Sequence, residues 1–174
     1  MNLLIKHDNI IYCKDISVIG GVETWVYELV KKYHNLDIAV VYKTANQKQL
    51  ERLEEYCPTY KHINQDIDCK VAIINYDVSI IPYITEKIWK ENAAEDEGIY
   101  QTVHGDYENK AYSWKPPTDN RIKAYIGVTQ YIVDSFQKIT PNKNVILGYN
   151  PLTIDKHPLM LVSATRLSPI KRKR

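Results

Sequence analysis

Through most of the chain, short apolar runs alternate with stretches in which apolar residues recur every three or four positions. That alternation predicts a β–α–β arrangement with helices covering a parallel sheet. Asn2 to Ile5 reads as the first strand, and Ile10, Ile11 and Tyr12 as a brief pairing inside an irregular segment. Leu36 to Lys43 (LDIAVVYK) is a second strand. Cys69 to Asp77 (CKVAIINYD) is a continuous apolar run of the kind buried on both faces. Ile99 to Val103, Ile122 to Val128 and Val145 to Leu147 follow as later strands, the last stopping at an Asn-Pro turn.

The strongest helical pattern lies in ISVIGGVETWVYELVKKYHN, residues 16 to 35. Val22, Trp25, Val26, Leu29, Val30 and Tyr33 share one stripe, while Glu23, Glu28, Lys31 and Lys32 largely face elsewhere. Gln47 to Tyr56 predicts a helix with Leu50 and Leu53 inward and Pro58 just past its end. Thr85 to Asp96 has helical composition, with Thr85 as cap and Gly98 as stop. Thr129 stands where it can cap a helix after the Ile122 strand. The whole is an α/β, Rossmann-like parallel sheet with helices on both faces. Such sheets present ligand sites at the carboxyl ends of their strands, which brings Gly20, Gly21, His104 and Thr129 toward one edge.

The segment after residue 155 breaks the pattern. Leu159 to Ser163 reads as a new strand, followed by a loop with Arg166 and Lys171 and no helix. The chain therefore divides into a Rossmann-like domain over residues 1–155 and a remainder, 156–174. That remainder is either the start of a truncated second domain or a frayed tail.

Composition narrows the chemistry. The 174 residues suffice for one well-cored domain, with 44% hydrophobic and 25% charged residues, the balance of an ordinary globular protein. The net charge of +2 includes four basic residues at the end, Lys171 to Arg174, so the body is slightly acidic and no nucleic-acid partner is indicated. No apolar run reaches the ~20 residues of a membrane span, and no leader pattern opens the chain; a cytoplasmic protein is expected. Three cysteines, Cys13, Cys57 and Cys69, are odd in number and lack CxxC spacing, which argues for reduced thiols over a disulfide framework or zinc site. Fourteen tyrosines accompany one phenylalanine; tyrosine both stacks on sugars and fills core edges.

Gly20 and Gly21 have two uses open to them. They can form a tight turn, the more frequent use of a short glycine motif. They can also let a phosphate approach the free amides at a helix start, where the helix dipole favours negative charge.

The order of GGVETWVYEL, TVHGD, AYIGVTQYIVDSF, VILGYNPL and LVSATRLSPIK resembles the N-terminal half of retaining family 4 glycosyltransferases of the GT-B fold, over nearly the whole chain. In that family two Rossmann-like domains face each other across a cleft, the N-terminal one holding the acceptor and the C-terminal one the nucleotide-sugar donor. The resemblance implies that Gly20 and Gly21 set backbone amides against the donor diphosphate, and that His104 lies near the transferred sugar and the acceptor. It implies that Arg166 and Lys171 neutralise the departing diphosphate, as positioned cations do for charge that develops in a transition state. Arg172 departs from the glycine usual after that lysine.

The family's donor-binding glutamates belong to the second domain, beyond this chain. The implied protein is thus the acceptor-side half of a glycosyltransferase, inactive alone. Its donor is a nucleotide sugar and its acceptor a carbohydrate or lipid-linked sugar. The family mostly works without metal or other cofactor, and no aspartate here is flanked like a metal ligand. The aromatics of the loop from Gly105 to Arg121, Tyr107, Tyr112 and Trp114, are candidates for stacking on an acceptor or for packing on their own domain. Thr129 is a further acceptor candidate, and the segment Ile81 to Trp89 (IPYITEKIW) ranks beside that loop. The full-length enzyme is expected in the cytoplasm or peripherally at the inner membrane face. The helix Gln47 to Tyr56 mixes both charge signs and is a poor membrane contact.

Three other readings are weighed. A nucleotide-sugar epimerase or sugar phosphorylase on the same frame needs no acceptor groove. A non-catalytic half-domain would bind acceptor or pair with a separate donor chain. A dinucleotide-binding enzyme is disfavoured, because no GxGxxG follows the first strand.

Overall fold

In the computed structural model, which describes residues 4–108, 117–149 and 151, the central strand is β1, Asn9–Cys13. Its last four side chains, Ile10 to Cys13, are all buried. This corrects the expectation of a first strand at Asn2 to Ile5. Among the described residues of that run, Ile5 begins a short strand, Ile5–Lys6, that pairs with Ile67–Asp68 in a separate two-stranded ladder. A strand central to a parallel sheet must be apolar on both faces. Ile10 to Cys13 satisfies that, whereas the earlier run ends in Lys6, His7 and Asp8 and leaves Leu4 exposed.

Six further strands join β1: β2, Ile38–Tyr42; β3, Thr59–Lys61; β4, Val71–Asn75; β5, Gly98–Val103; β6, Ile122–Gly127; and β7, Val145–Leu147. Their order is β7-β6-β5-β4-β1-β2-β3, and every pair is parallel. The helices are α1, Gly21–Lys32; α2, Gln47–Glu54; and α3, Gln130–Ile139. The chain winds from β1 outward to β3, returns beside β1 as β4, and winds the other way to β7. Right-handed crossovers then set α1 and α2 on one face and α3 on the other. The fold is the doubly wound, Rossmann-like α/β sheet that the alternation predicts. Its direction reverses between β1 and β4, the topological switch point where such sheets hold ligands.

The helices form where the periodicity puts them, with specific ends. In α1, Val26 and Val30 are fully buried and Trp25 nearly so; Tyr33, predicted to share that stripe, is instead the C-cap and is exposed. Burying each such side chain stabilises the fold by roughly 1.5–3 kcal/mol. Asn46 caps α2 by accepting the Gln49 N–H at 2.9 Å, and Leu53 faces the core. Thr129 caps α3, its Oγ1 accepting the Ile132 N–H at 3.2 Å. Helix α3 lies so close to β6 that a Cβ on Gly127 would stand 2.6 Å from Val133 Cγ2 and 3.0 Å from its backbone nitrogen.

The helix expected over Thr85 to Asp96 does not form. Two short 3-10 turns, Val78–Tyr83 and Glu86–Ile88, stand in this connection, and Thr85 makes no side-chain cap. Pro82 precedes the stretch, and Glu91, Glu95 and Asp96 would load negative charge onto a helix C-terminus, where the dipole opposes it. Ile88 is its one buried side chain and Trp89 is half-buried, with the Arg121 guanidinium over the indole at 5.8 Å. Gly98, read as the stop, opens β5 instead.

Candidate functional site

The segments leaving the carboxyl ends of β1 and β4 line a cavity of about 310 Å³ at the switch point, shared with the first turn of α1. Lys14 and Asp15 follow β1, Tyr76 and Asp77 follow β4 with Asn75 as its last residue, and Glu23 comes from the helix. His104 directly follows β5, next along the same edge.

Asn75 organises the inner wall. Registry sets it opposite Cys13 on β1 and Thr102 on β5, so the three side chains share one face of the sheet. Its Nδ2 donates to the Tyr12 carbonyl at 3.0 Å. Its Oδ1 accepts from the Thr102 hydroxyl and, at 3.1 Å, from His104 Nε2. Both Asn75 and Thr102 are buried, so each bond answers a polar group that would otherwise be costly to bury.

The His104 ring is held between two aromatics. The Trp25 indole meets it edge-on at 5.5 Å and 82°, and Tyr76 lies 5.6 Å away. Burial pushes the imidazole pKa down to about 4, so the ring is neutral at pH 7. Tyr76 takes φ of 58°, the left-handed region. For a bulky residue this costs about 1–3 kcal/mol and persists only where surrounding structure imposes it.

Asp77 is tied down on every side. Burial alone would raise its pKa, but the Ser79 N–H and hydroxyl at 2.9 Å, the Tyr12 hydroxyl at 3.1 Å and Lys14 at 3.6 Å hold it below the usual carboxylate value. Burial, and after it the same carboxylate, push the Tyr12 phenol upward. Lys43, after β2, donates to Ser79 Oγ at 3.0 Å and extends the polar edge.

Gly20 is the N-cap of α1 and Gly21 its first residue. A glycine has no side chain to cap with, so the helix start depends on Glu23, whose Oε2 accepts the Gly20 N–H at 2.9 Å. An added Cβ on Gly20 would lie 2.7 Å from that oxygen, while one on Gly21 would meet nothing within 4 Å. The anion seated at this helix end is therefore the chain's own carboxylate. A diphosphate approaching Gly20 must compete with it.

The remaining candidates divide. Thr129 is exposed and bound to its capping role. Tyr107 packs edge-on against Phe136 of α3 at 5.9 Å, in a segment that Asp106 anchors by accepting from Ser135 at 2.7 Å and Tyr131 at 2.6 Å. Tyr112, Trp114, Arg166 and Lys171 lie outside the described residues. Tyr83 of the second acceptor candidate donates to Asn64 Oδ1 at 2.9 Å and stacks edge-on against His62, away from His104.

Asn75, Asp77, Lys14 and Glu23 belong to no sequence motif that marks a site. The available signal was the polar triplet Asn75-Tyr76-Asp77 closing an otherwise apolar strand. The three cysteines are free and buried, with burial pushing Cys13 and Cys69 up to about 12 and Cys57 to about 11. They are thiols at neutral pH, not nucleophiles.

Among the described residues no helix is long and apolar enough to cross a membrane, and no group of three or more histidine, cysteine or acidic side chains could hold a metal ion. No protein-family model, curated protein or solved structure matches the chain.

Proposed function

We propose that the chain is the acceptor-side half of a retaining glycosyltransferase, which moves a sugar from a nucleotide-sugar donor to a carbohydrate or lipid-linked acceptor. The observation that supports this best is a cavity at the switch point that shares the first turn of a glycine-led helix, with a neutral, half-buried histidine after the next strand hydrogen-bonded to Asn75 of the cavity wall. The cavity suits a polyol, because the Asp15 carboxylate and the Lys14 ammonium on its wall offer an acceptor and donors to ring hydroxyls. The helix start suits the donor diphosphate once Glu23 moves aside.

Cations that stabilise the departing diphosphate, Arg166 and Lys171 by resemblance, complete the chemistry together with a donor domain. The chain alone therefore binds ligand without turnover. The reading carries with it a cytoplasmic location, peripheral at the inner membrane face for the full-length enzyme, and chemistry without a metal cofactor.

The test is release of nucleoside diphosphate from a panel of nucleotide sugars by the product of the whole natural reading frame. Release is expected, and His104→Ala is expected to lower it about 10²-fold through misplacement of the reacting sugar. No release from any donor, or an undiminished rate in the variant, refutes the reading.

A further inference from the structure

The Asn75 amide does more than fill a buried position, because its orientation dictates which nitrogen of His104 carries the proton. Its Nδ2 faces the Tyr12 carbonyl at 3.0 Å. A carbonyl only accepts, so the amide nitrogen must point to β1 and the amide oxygen to β5. That oxygen in turn only accepts. The Thr102 hydroxyl already donates to it, and the group 3.1 Å away on the other side is His104 Nε2.

A neutral imidazole holds one proton, and here the Asn75 oxygen requires it on Nε2. Nδ1 is left with the lone pair. We propose that Asn75 is a positioning residue that fixes the Nε2–H form of His104 and so presents Nδ1 as an acceptor for a hydroxyl of the bound sugar. The inference rests on the glycosyltransferase reading for its ligand, but not for the protonation pattern.

Specificity follows from the same geometry. A ligand hydroxyl can donate to Nδ1, whereas a phosphate or carboxylate oxygen finds only an opposing lone pair. The carboxylates of Asp15 and Asp77, which line the neighbouring cavity, reinforce that discrimination against anions. Trp25 and Tyr76 fix the ring plane, so rotation cannot exchange the two nitrogens cheaply. The open nitrogen of His104 thus favours an uncharged sugar hydroxyl, and the diphosphate is left to the start of α1.

The experiment is a long-range proton–nitrogen NMR spectrum of the chain labelled with ¹⁵N-histidine, at pH 7. His104 is expected to show a protonated Nε2 and a bare Nδ1. A proton on Nδ1, or two averaged nitrogens, overturns the proposal. Asn75→Ala is expected to release the constraint and draw the two nitrogen signals together; an unchanged pattern denies Asn75 its role. Asn75→Asp retains an acceptor and is expected to keep a proton on Nε2, and its loss there counts against the proposal. Thr102→Val removes the other donor to the same oxygen and should leave the His104 pattern intact, which separates positioning from general packing.

Sulfate, which carries no proton at pH 7, should leave the Nδ1 signal unmoved, and conversion to the imidazolium on its addition contradicts the specificity. A ring found in the Nε2–H form in a protein that transfers no sugar sinks the enzyme reading and leaves the positioning role standing. The reverse result does the opposite.

Discussion

Lowering the pH from 7 toward 4 should destabilise this fold in large part through His104. Its ordinary pKa near 6.5 is pushed down to about 4 in the folded chain because burial disfavours the charged ring. The folded value is depressed, so the stability it secures is fully present above the unfolded value. It is lost as pH falls, because the unfolded chain takes up a proton that the folded one refuses. At 1.36 kcal/mol per pH unit, the window from about 6.5 to about 4 is worth ~3 kcal/mol. That is a large share of a typical margin of ~5–15 kcal/mol.

Urea unfolding at a series of pH values, on wild type and His104→Gln, measures the difference directly. The comparison also cancels His62, which burial shifts in the same direction. The midpoint of wild type should fall steeply across this window, and the variant should lose most of that slope. Parallel curves for the two proteins would refute the claim that His104 is held neutral by its surroundings.

Three substitutions probe the supports of the site. Asn75→Ala strips partners from the Tyr12 carbonyl and the His104 N–H, while Thr102 retains the Ile74 carbonyl at 3.3 Å. A loss of about 2–4 kcal/mol is expected, and a thermal midpoint within a degree of wild type contradicts it. Gly127→Ala drives a methyl against Val133 of α3 and its backbone, for a loss of about 1–3 kcal/mol in urea unfolding; an unaltered midpoint would mean that α3 shifts freely. Glu23→Gln weakens the contact with the Gly20 N–H and removes negative charge from the start of α1. It should cost about 0.5–1 kcal/mol, with the largest hydrogen-exchange acceleration in the first turn of that helix.

Much of the architecture is legible in the sequence because parallel strands and amphipathic helices carry strong local signals. Val145–Leu147 is a strand with the ends predicted, and α1 fills its stripe except at Tyr33, where the helix has already ended. The errors share a cause in tertiary context. Asn2 to Ile5 is apolar enough to be a strand, but the center of the sheet selected Ile10 to Cys13, whose neighbours β2 and β4 bury both faces. The stretch from Thr85 has helical composition without a face to bury, and composition alone cannot show that.

At the site, His104 and the glycine pair are visible because they punctuate ends of elements. Asn75 is not, because its importance lies in three partners brought together by strand registry. Likewise Glu23 reads as a solvent-facing charge until the glycine amide beside it is seen in space.

The switch point also has a meaning for how the chain folds. The strands β1, β2 and β3 are built from one continuous stretch of chain and β4 to β7 from the next, so the cleft is a seam between two halves. The Asn75–Tyr12 hydrogen bond that stitches it joins residues 63 positions apart, a closure whose entropy is paid only when both halves exist. Each half can gather its local strand–helix contacts before that stitch is made, and the cavity at the switch point is then among the last features to assemble. Substitutions along the seam should mainly speed unfolding and leave the refolding rate nearly unchanged, so occupancy of this cleft would act as a brake on the protein coming apart.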